Sequence, residues 1–493
     1  MTTVRCRIAP SPSGFLHIGT AKIALFNWLY ARKTGGKFVL RLEDTDAERT
    51  EEEFVQAMCA GFKWLGIEWD EGPEFGDEPE RGPFAPYRQS ERKALHQEAC
   101  RKLLASGHAY RCYCGKEELE AEKEQARAEG RNPHYSRKCR DLTPEQIAAK
   151  GDAPFAVRFR VPEGFTEVHD VVQGVVRMEN TQIDDFVIQK SNGDPIFHLA
   201  VVVDDGEMQI THVIRGDDHL TNAAKHVLLF NGLGYALPVF AHLPMVLDES
   251  GKKYSKRLHG ANVLDWRDDG YLPEALINYV ALLGWTPEEE GRELFTLTEL
   301  IAAFDPRRWG KSAARFDLKK LQWLNGQHIR NLSLEALLER LLPRLRQAGC
   351  NVDSRPTEWL LKMTALCREK LTTLNDIVEV AGFFFSESAV YDEKGVKKQW
   401  GAPESLTYLT VMSELLWNAT SWEVGPLHQL FEDKAAELGI SIGKLMPSLR
   451  LALTGKTGGP DLFAALVLLG RDSCLRRIEN AKIHIQSIRE NIA

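Results

Sequence analysis

The chain has 493 residues, of which 43% are hydrophobic and 27% charged, ordinary globular proportions that exclude a mainly disordered or collagen-like protein. At roughly 100–200 residues per domain this length predicts about three or four domains. The net charge of −8 is uneven: residues 326–493 carry 20 Lys+Arg and 20 Asp+Glu, so the whole acidic excess lies before them. A global acidic balance does not exclude local basic tracks for phosphate contacts. No run of about 18 apolar residues marks a membrane span. The start, MTTVRCRIAPSP, lacks the apolar core of a signal peptide, which predicts a cytoplasmic location. The nine cysteines are odd in number and scattered, not a secreted disulfide framework; only Cys112, Cys114 and Cys139 are grouped.

In chain order, residues 5–9 (RCRIA) read as a short buried strand, and Pro10, Pro12 and Gly14 break regular structure. From His17 the spacing predicts a helix with Ala21, Ala24, Leu25, Trp28 and Leu29 on one face, stopped by Gly35-Gly36. KFVLRLEDTD reads as a second strand ending in carboxylates, giving a βαβ unit of a doubly wound sheet. Residues 97–197 interrupt this pattern: 115–130 is a polar helix, and 155–192 alternates like a small antiparallel sheet. FHLAVVVDD and MQITHVIRGDD then return to short strands rich in branched residues. YLPEALINYVALLGW reads as a helix, and nearly everything from 326 onward is helical, with breaks at Asn351–Pro356 and Gly401–Glu404.

Two motifs carry phosphate chemistry. Pro10-Ser11-Pro12-Ser13-Gly14-Phe15-Leu16-His17-Ile18-Gly19-Thr20 joins strand to helix, where free N–H groups and the helix dipole favour an anion. Gly19 permits close approach of a nucleotide, and His17 suits charge developing at an α-phosphate; as an isolated tetrapeptide, HIGT reads more readily as a Pro-rich loop whose His merely caps a helix. Gly251-Lys252-Lys253-Tyr254-Ser255-Lys256-Arg257 suits a triphosphate, or is a solvated basic loop. Their spacing brings them together: one ends the first strand and the other follows the last strand of the same sheet. Gly455-Lys456-Thr457 mimics the end of a P-loop but lacks the earlier glycine, since position 450 is Arg450.

RIAPSPSGFLHIGT, GGKFVLRLEDTD, THVIRGDDHL, GKKYSKR and DDGYLPEALINYVALLGW, in this order, closely resemble the bacterial glutamyl-tRNA synthetases, a class I aminoacyl-tRNA synthetase family. HIGT stands for the class's HIGH motif and KYSKR for KMSKS. The resemblance runs through about residues 5–325 and continues more weakly to the C-terminus. It implies an α/β Rossmann-like catalytic core with an α+β insertion, followed by helical stem-contact and all-α anticodon-binding domains. The expected segments are 1–96 and 198–250 for the core, 97–197 for an acceptor-end-binding insertion, 251–325 for the KMSKS-type loop and stem contact, and 326–385 and 386–493 for two anticodon-binding subdomains.

The resemblance further implies activation of L-glutamate with ATP and Mg²⁺ to glutamyl-adenylate, then transfer to the terminal adenosine of tRNA(Glu), with use of tRNA(Gln) left open. It assigns His17, Thr20, Ser255 and Lys256 to catalysis, and His17, Gly19, Lys253 and Lys256 to ATP. Arg7, Ser11, Glu43, Phe197 and Arg215 fall on glutamate-binding positions. Arginine's planar fork pairs bidentately with a carboxylate, and a fixed cation at Arg215 favours glutamate because glutamine would leave it unpaired. Read alone, Arg215 is equally a strand-end salt bridge to Asp217 or Asp218. Asp204-Asp205 is assigned no catalytic role. Relatives usually carry Tyr where this chain has Phe197; the lost hydroxyl costs up to about 1 kcal/mol for a missing neutral bond, and more if a carboxylate oxygen is left unpaired.

Some family members hold structural Zn²⁺ with Cys, Cys, Tyr and Cys at the spacing of Cys112, Cys114, Tyr135 and Cys139, with His134 a rival fourth ligand. The anticodon loop resembles Cys367–Leu371, so Arg368 and Lys370 are candidate anticodon contacts; many discriminating relatives place Arg where Lys370 sits. The expected partners are tRNA and glutamate, no membrane, a monomeric chain, and an amidotransferase only if tRNA(Gln) is also charged. Two alternatives stay open: a glutaminyl-tRNA synthetase or tRNA(Gln)-specific glutamylating paralogue, and a non-catalytic tRNA-binding protein. Arg215 argues against a glutaminyl enzyme, and intact His17, Arg215 and Lys256 against a non-catalytic one.

Overall fold

Alternating Gly/Pro breaks and short branched runs at the N-terminus build a mostly parallel sheet. The computed structural model describes residues 3–45, 51–130, 132–254, 262–386 and 390–490. The chain divides into two units, residues 1–266 with 276–318 and residues 267–275 with 319–493.

The first unit contains strands β1 (Arg5–Ile8), β2 (Lys37–Leu40), β3 (Ala109–Cys112), β4 (Ala156–Phe159), β5 (Phe165–Asp170), β6 (Gly174–Glu179), β7 (Val187–Gln189), β8 (His212–Gly216) and β9 (Val239–Leu243). Its helices include α1 (Ile18–Thr34), α2 (Glu52–Trp64), α3 (Lys93–Ala105), α4 (Lys116–Ala128), α5 (Pro144–Ala148), α6 (Phe197–Glu207) and α7 (Leu220–Leu233). Six strands form one sheet in the order β2-β1-β8-β9-β5-β6. Neighbours are parallel except the β5–β6 edge hairpin. This is a Rossmann-like α/β sheet, and β1 lies where the strand order reverses, the place at which such sheets bind ligands at their carboxyl ends.

α1 crosses from β1 to β2. His17 caps its N-terminus, and Gly35, in the left-handed region at φ 64°, closes its C-terminus. Asn27 Nδ2 on α1 donates to the Ile214 carbonyl of β8 at 2.9 Å, pinning the helix to the sheet. On the other side, Leu199, Val202 and Val203 of α6 and Val227, Leu229 and Phe230 of α7 share one buried core with Val213, Phe240 and the small-sheet residues Val157 and Phe159.

Two expectations are corrected. FHLAVVVDD is helix α6, not a strand. Its residues from Leu199 to Asp205 are all buried, so no polar face marks the 3.6-residue period, and a short all-apolar run looks the same as a buried strand. Residues 155–192 do not form one small antiparallel sheet. β4 pairs with β3 and β7 in a three-stranded sheet, whereas β5 and β6 extend the main sheet through β9.

The second unit is helical throughout among the described residues. Helices Leu334–Gln347, Thr357–Cys367 and Asp376–Ala381 surround one core that includes Leu337, Leu341, Met363 and Ile377. Helices Ser405–Asn418, Val424–Glu437, Met446–Thr454, Leu462–Leu469 and Arg471–Glu490 surround another with Leu409, Phe431, Leu449 and Ile478. Trp359 Nε1 donates to the Leu468 carbonyl at 3.0 Å and joins the two groups.

Candidate active site

The carboxyl ends of β1 and β8 and the N-terminus of α1 open onto a cleft of about 320 Å³. Arg7, Ser11, His17, Gly19, Thr20, Glu43, Phe197, Arg215 and Lys253, all singled out from sequence, line it. Ser255 and Lys256 lie outside the described residues.

His17 both caps α1 and lines the cleft. Its Nδ1 accepts from the Thr20 N–H at 3.3 Å, and its Nε2 lies 3.0 Å from Thr20 Oγ1. A neutral ring with the proton on Nε2 satisfies both contacts. A Cβ at Gly19 would sit 3.0 Å from the His17 ring, tighter than ordinary contact, so glycine keeps the imidazole against the helix end. The first-turn N–H groups and the helix dipole make this an anion-favouring corner. Lys22, one turn on, is buried and donates to the Pro244 carbonyl at 2.7 Å; burial pushes its ammonium down to about 8, opposed by Asp217. Lys253 reaches toward Asp218, with Nζ 3.4 Å from Oδ2.

Arg7 is buried and held by a carboxylate. Its Nε and Nη2 donate to Asp205 Oδ1 and Oδ2 at 3.1 and 3.2 Å. Asp205 Oδ1 also accepts from Arg41 Nη1 at 2.7 Å, and Arg41 Nη2 lies 3.3 Å from Glu43 Oε1. Burial pushes the Asp205 carboxyl up, but Arg7 and Arg41 outweigh it and leave it below the ordinary range. Glu43 ends above its ordinary value, because burial outweighs Arg41 and Arg7. Asp204 accepts from Arg92, Gln89 and His96 at 2.6, 2.8 and 2.9 Å, anchoring the end of α6 to α3 and the turn before it.

Arg215 contrasts with Arg7. It is buried, and among the described residues it has no carboxylate partner; its acceptors are His242, His226 and the His219 carbonyl. The salt bridge to Asp217 or Asp218 is absent from the described residues, and Asp218 faces Lys253 instead. Burial, reinforced by Arg7, lowers the Arg215 guanidinium to about 10. Phe197 opens α6 at the cleft wall, 37% exposed, with its ring centroid 5.8 Å from His219 and 6.0 Å from His226.

Sequence reasoning missed Arg41, Asp205, Asp170, His226 and His242. Arg41 and Asp205 bridge strand to helix across 164 positions. Asp170 and His242 become neighbours only through pairing of β5, β8 and β9, where Arg215 stands opposite His242 and Asp170 opposite Phe240, whereas His226 reaches Arg215 from α7, 11 positions further along the chain.

Elsewhere in this unit, Cys112, Cys114, Tyr135 and Cys139 converge. The three sulfur atoms lie within 4.8 Å of one another. The Cys114 and Cys139 sulfurs are 3.6 Å apart, and Tyr135 Oη is 3.3 and 3.4 Å from the Cys112 and Cys114 sulfurs. Zn–S bonds of about 2.3 Å in a tetrahedron require S···S near 3.8 Å and S···O near 3.5 Å, so the set fits a tetrahedral ion. His134 turns away to Asp184, Nδ1 to Oδ1 at 2.9 Å. In the helical unit, Arg368 and Lys370 lie in the short turn Arg368–Lys370 after helix Thr357–Cys367, with Lys370 exposed and Arg368 Nε 3.7 Å from Glu369 Oε1.

Comparison with known proteins gives this cleft its context. The family described as tRNA synthetases class I (E and Q), catalytic domain, matches residues 3–323, and an anticodon binding domain matches residues 336–482. The chain is 43% identical over 500 residues to the glutamate–tRNA ligase of Moorella thermoacetica, covering 100% of both chains. It is 44% identical over 491 residues to that of Desulforudis audaxviator, covering 98% of this chain and 96% of that one. A solved glutamate tRNA ligase from Elizabethkingia meningosepticum, in complex with its amino acid, superposes with a TM-score of 0.87 at 33% identity over 98% of this chain and 99% of that chain. With a matching fold, two matching domains in sequence and relatives aligned end to end, this chain belongs to the class I tRNA synthetases of the glutamate and glutamine type.

Proposed function

We propose that the chain is a glutamate–tRNA ligase: it joins L-glutamate to ATP as glutamyl-adenylate and passes the glutamyl group to the 3′-terminal adenosine of tRNA(Glu). The observation that carries this reading is Arg215, a buried cation held by neutral acceptors beside Arg7 in the cleft. A glutamate side chain brings the missing charge; glutamine does not. Arg7 and Ser11 bind the other end of the amino acid, and Glu43 holds its ammonium. The α-carboxylate oxygen attacks the α-phosphorus of ATP, and pyrophosphate leaves. His17, Thr20 and the N–H groups at Gly19 stabilise the charge growing on the phosphate, and Lys253, Ser255 and Lys256 add cations and a hydroxyl donor for the triphosphate. The 2′-hydroxyl of the terminal adenosine then attacks the glutamyl carbonyl and AMP leaves. Class I synthetases use ATP with Mg²⁺, which neutralises the phosphates.

Cys112, Cys114, Tyr135 and Cys139 would hold a structural Zn²⁺, cross-linking the loops beside the three-stranded sheet. Residues 97–197 would meet the acceptor end, 251–325 the stem, and 326–493 the anticodon through Arg368 and Lys370. No helix among the described residues is long and apolar enough to cross a membrane.

Charging purified tRNA(Glu) and tRNA(Gln), each with labelled glutamate or glutamine and Mg-ATP, tests the proposal. Glutamate on tRNA(Glu) alone is expected of an enzyme whose Lys370 turn rejects the other anticodon. Glutamate on both makes it non-discriminating and requires an amidotransferase partner. No charging refutes the ligase reading and favours a non-catalytic tRNA-binding protein.

A further inference from the structure

Arg215 is held on three sides. Nε donates to His242 Nε2 at 3.0 Å, Nη1 lies 3.2 Å from His226 Nδ1, and Nη2 donates to the His219 carbonyl at 3.3 Å. A guanidinium has only donors, five in all, so these bonds leave two N–H groups, one on each terminal nitrogen. Both imidazoles must therefore accept, which fixes their tautomers. His242 carries its proton on Nδ1, bound by Asp170 Oδ2 at 2.6 Å. The other Asp170 oxygen is occupied by the N–H groups of Val172, Gln173 and His242 at 2.9, 2.8 and 3.3 Å. His226 carries its proton on Nε2, 3.2 Å from His198 Nδ1. The whole chain from Asp170 to His226 is buried.

The choice of acceptor matters. Arg7 shares the carboxylate of Asp205 with Arg41, so its pair is only partly compensated. An acid in place of His242 or His226 would give Arg215 a carboxylate of its own, and a substrate carboxylate would meet a cation already paired. Imidazole orients the fork without consuming its charge.

We infer that Asp170, His242 and His226 are positioning residues that hold Arg215 through neutral acceptors, leaving its charge and two N–H donors for an anionic side chain, and so set the preference for glutamate over glutamine. This rests on the ligase reading above.

Asp170→Asn is the sharpest test. Its carbonyl oxygen keeps the three backbone N–H bonds, while its NH₂ faces His242 Nδ1 and forces that nitrogen to accept. The ring proton moves to Nε2 and points at the Arg215 Nε–H, donor against donor. His226→Gln attacks the other acceptor independently. In tRNA(Glu) charging, each variant is expected to raise KM for glutamate by about 10- to 100-fold, to lower the glutamate-to-glutamine ratio of kcat/KM by a similar factor, and to leave KM for ATP within about twofold. A merely structural role would lower activity toward both substrates alike. Wild-type glutamate KM and selectivity in both variants overturn the inference; if Asp170→Asn does not fold by calorimetry, His226→Gln decides it by the same readout. Wild-type protein that charges no tRNA with glutamate removes the ligase reading itself, whereas an active wild type with unaltered variants removes only this inference.

Discussion

Replacing Asp205 by Asn should loosen both the catalytic unit and its grip on the amino acid. Asp205 is 1% exposed and binds two arginines that are themselves 4% and 0% exposed, Arg7 and Arg41. The amide keeps one acceptor but turns an N–H donor toward a guanidinium. Breaking a buried ion pair from one side costs about 3–5 kcal/mol. Arg41 keeps Glu43 at 3.3 Å and Asp204 at 3.8 Å, so the lower end, about 3 kcal/mol, applies. For a unit of about 300 residues, an unfolding entropy near 0.6 kcal/mol/K converts this to a fall of about 5 °C in the Tm of that unit. Arg7 loses its bidentate anchor, so KM for glutamate should rise by about tenfold or more, with KM for ATP little changed. The Asp205 carboxyl is held below its ordinary value in the folded protein, so its stabilisation is present above pH 3.8 and is lost as pH falls through the lowered folded value. Differential scanning calorimetry and tRNA charging read both effects. A Tm within about 1 °C of wild type, together with unchanged glutamate KM, would refute the reasoning.

Phe197→Tyr should lower KM for glutamate by up to about fivefold, the worth of one neutral hydrogen bond; an unchanged KM discards the argument from the missing hydroxyl. Elemental analysis of protein purified without chelator should find about one zinc per chain, and Cys139→Ser should lose it and expose the loops around the three-stranded sheet to protease. Zinc-free wild type with full activity removes that site. Burial, then Lys225 and Arg215, holds His198 down at about 4, and His226 is lowered in the same direction by burial and Arg215. Stability should be full above the unfolded histidine value near 6.5 and decline as pH falls toward 4, by on the order of 2 kcal/mol for His198. A Tm that stays flat from about pH 7 to 5 contradicts this.

The cleft was legible because its residues sit in local motifs. The Pro10–Thr20 loop, the strand-end arginines and Glu43 each announce themselves within a few positions of a strand end. What supports them was not legible. Asp205 touches Arg7 across 198 positions, and Asp170 touches His242 across 72. An acidic pair in a sequence looks solvated; only its placement at the end of a helix with no exposed face turns it into a buried anchor. The same total burial hid the helix α6 itself, since Val201, Val202 and Val203 favour strands and no polar stripe contradicted them. Alternation at Phe165–Asp170 marked a strand correctly, and its antiparallel partner β6 follows directly, but it carried no information about its second neighbour, β9, which is parallel and about 70 residues away.

The placement of the β5–β6 hairpin also governs how this enzyme can be taken apart. Residues 97–197 look like a cassette between two halves of a core, and a chimaera exchanging them whole would be the natural graft. That exchange would carry off two strands of the recipient's central sheet and, with Asp170, the group that sets the proton on His242. Amino-acid choice would travel with the transplanted piece. A graft that spares it must be made as two inserts, one ending before Phe165 and one beginning after Glu179 and stopping before Phe197, with the hairpin and the cleft-wall Phe197 left as the host's own.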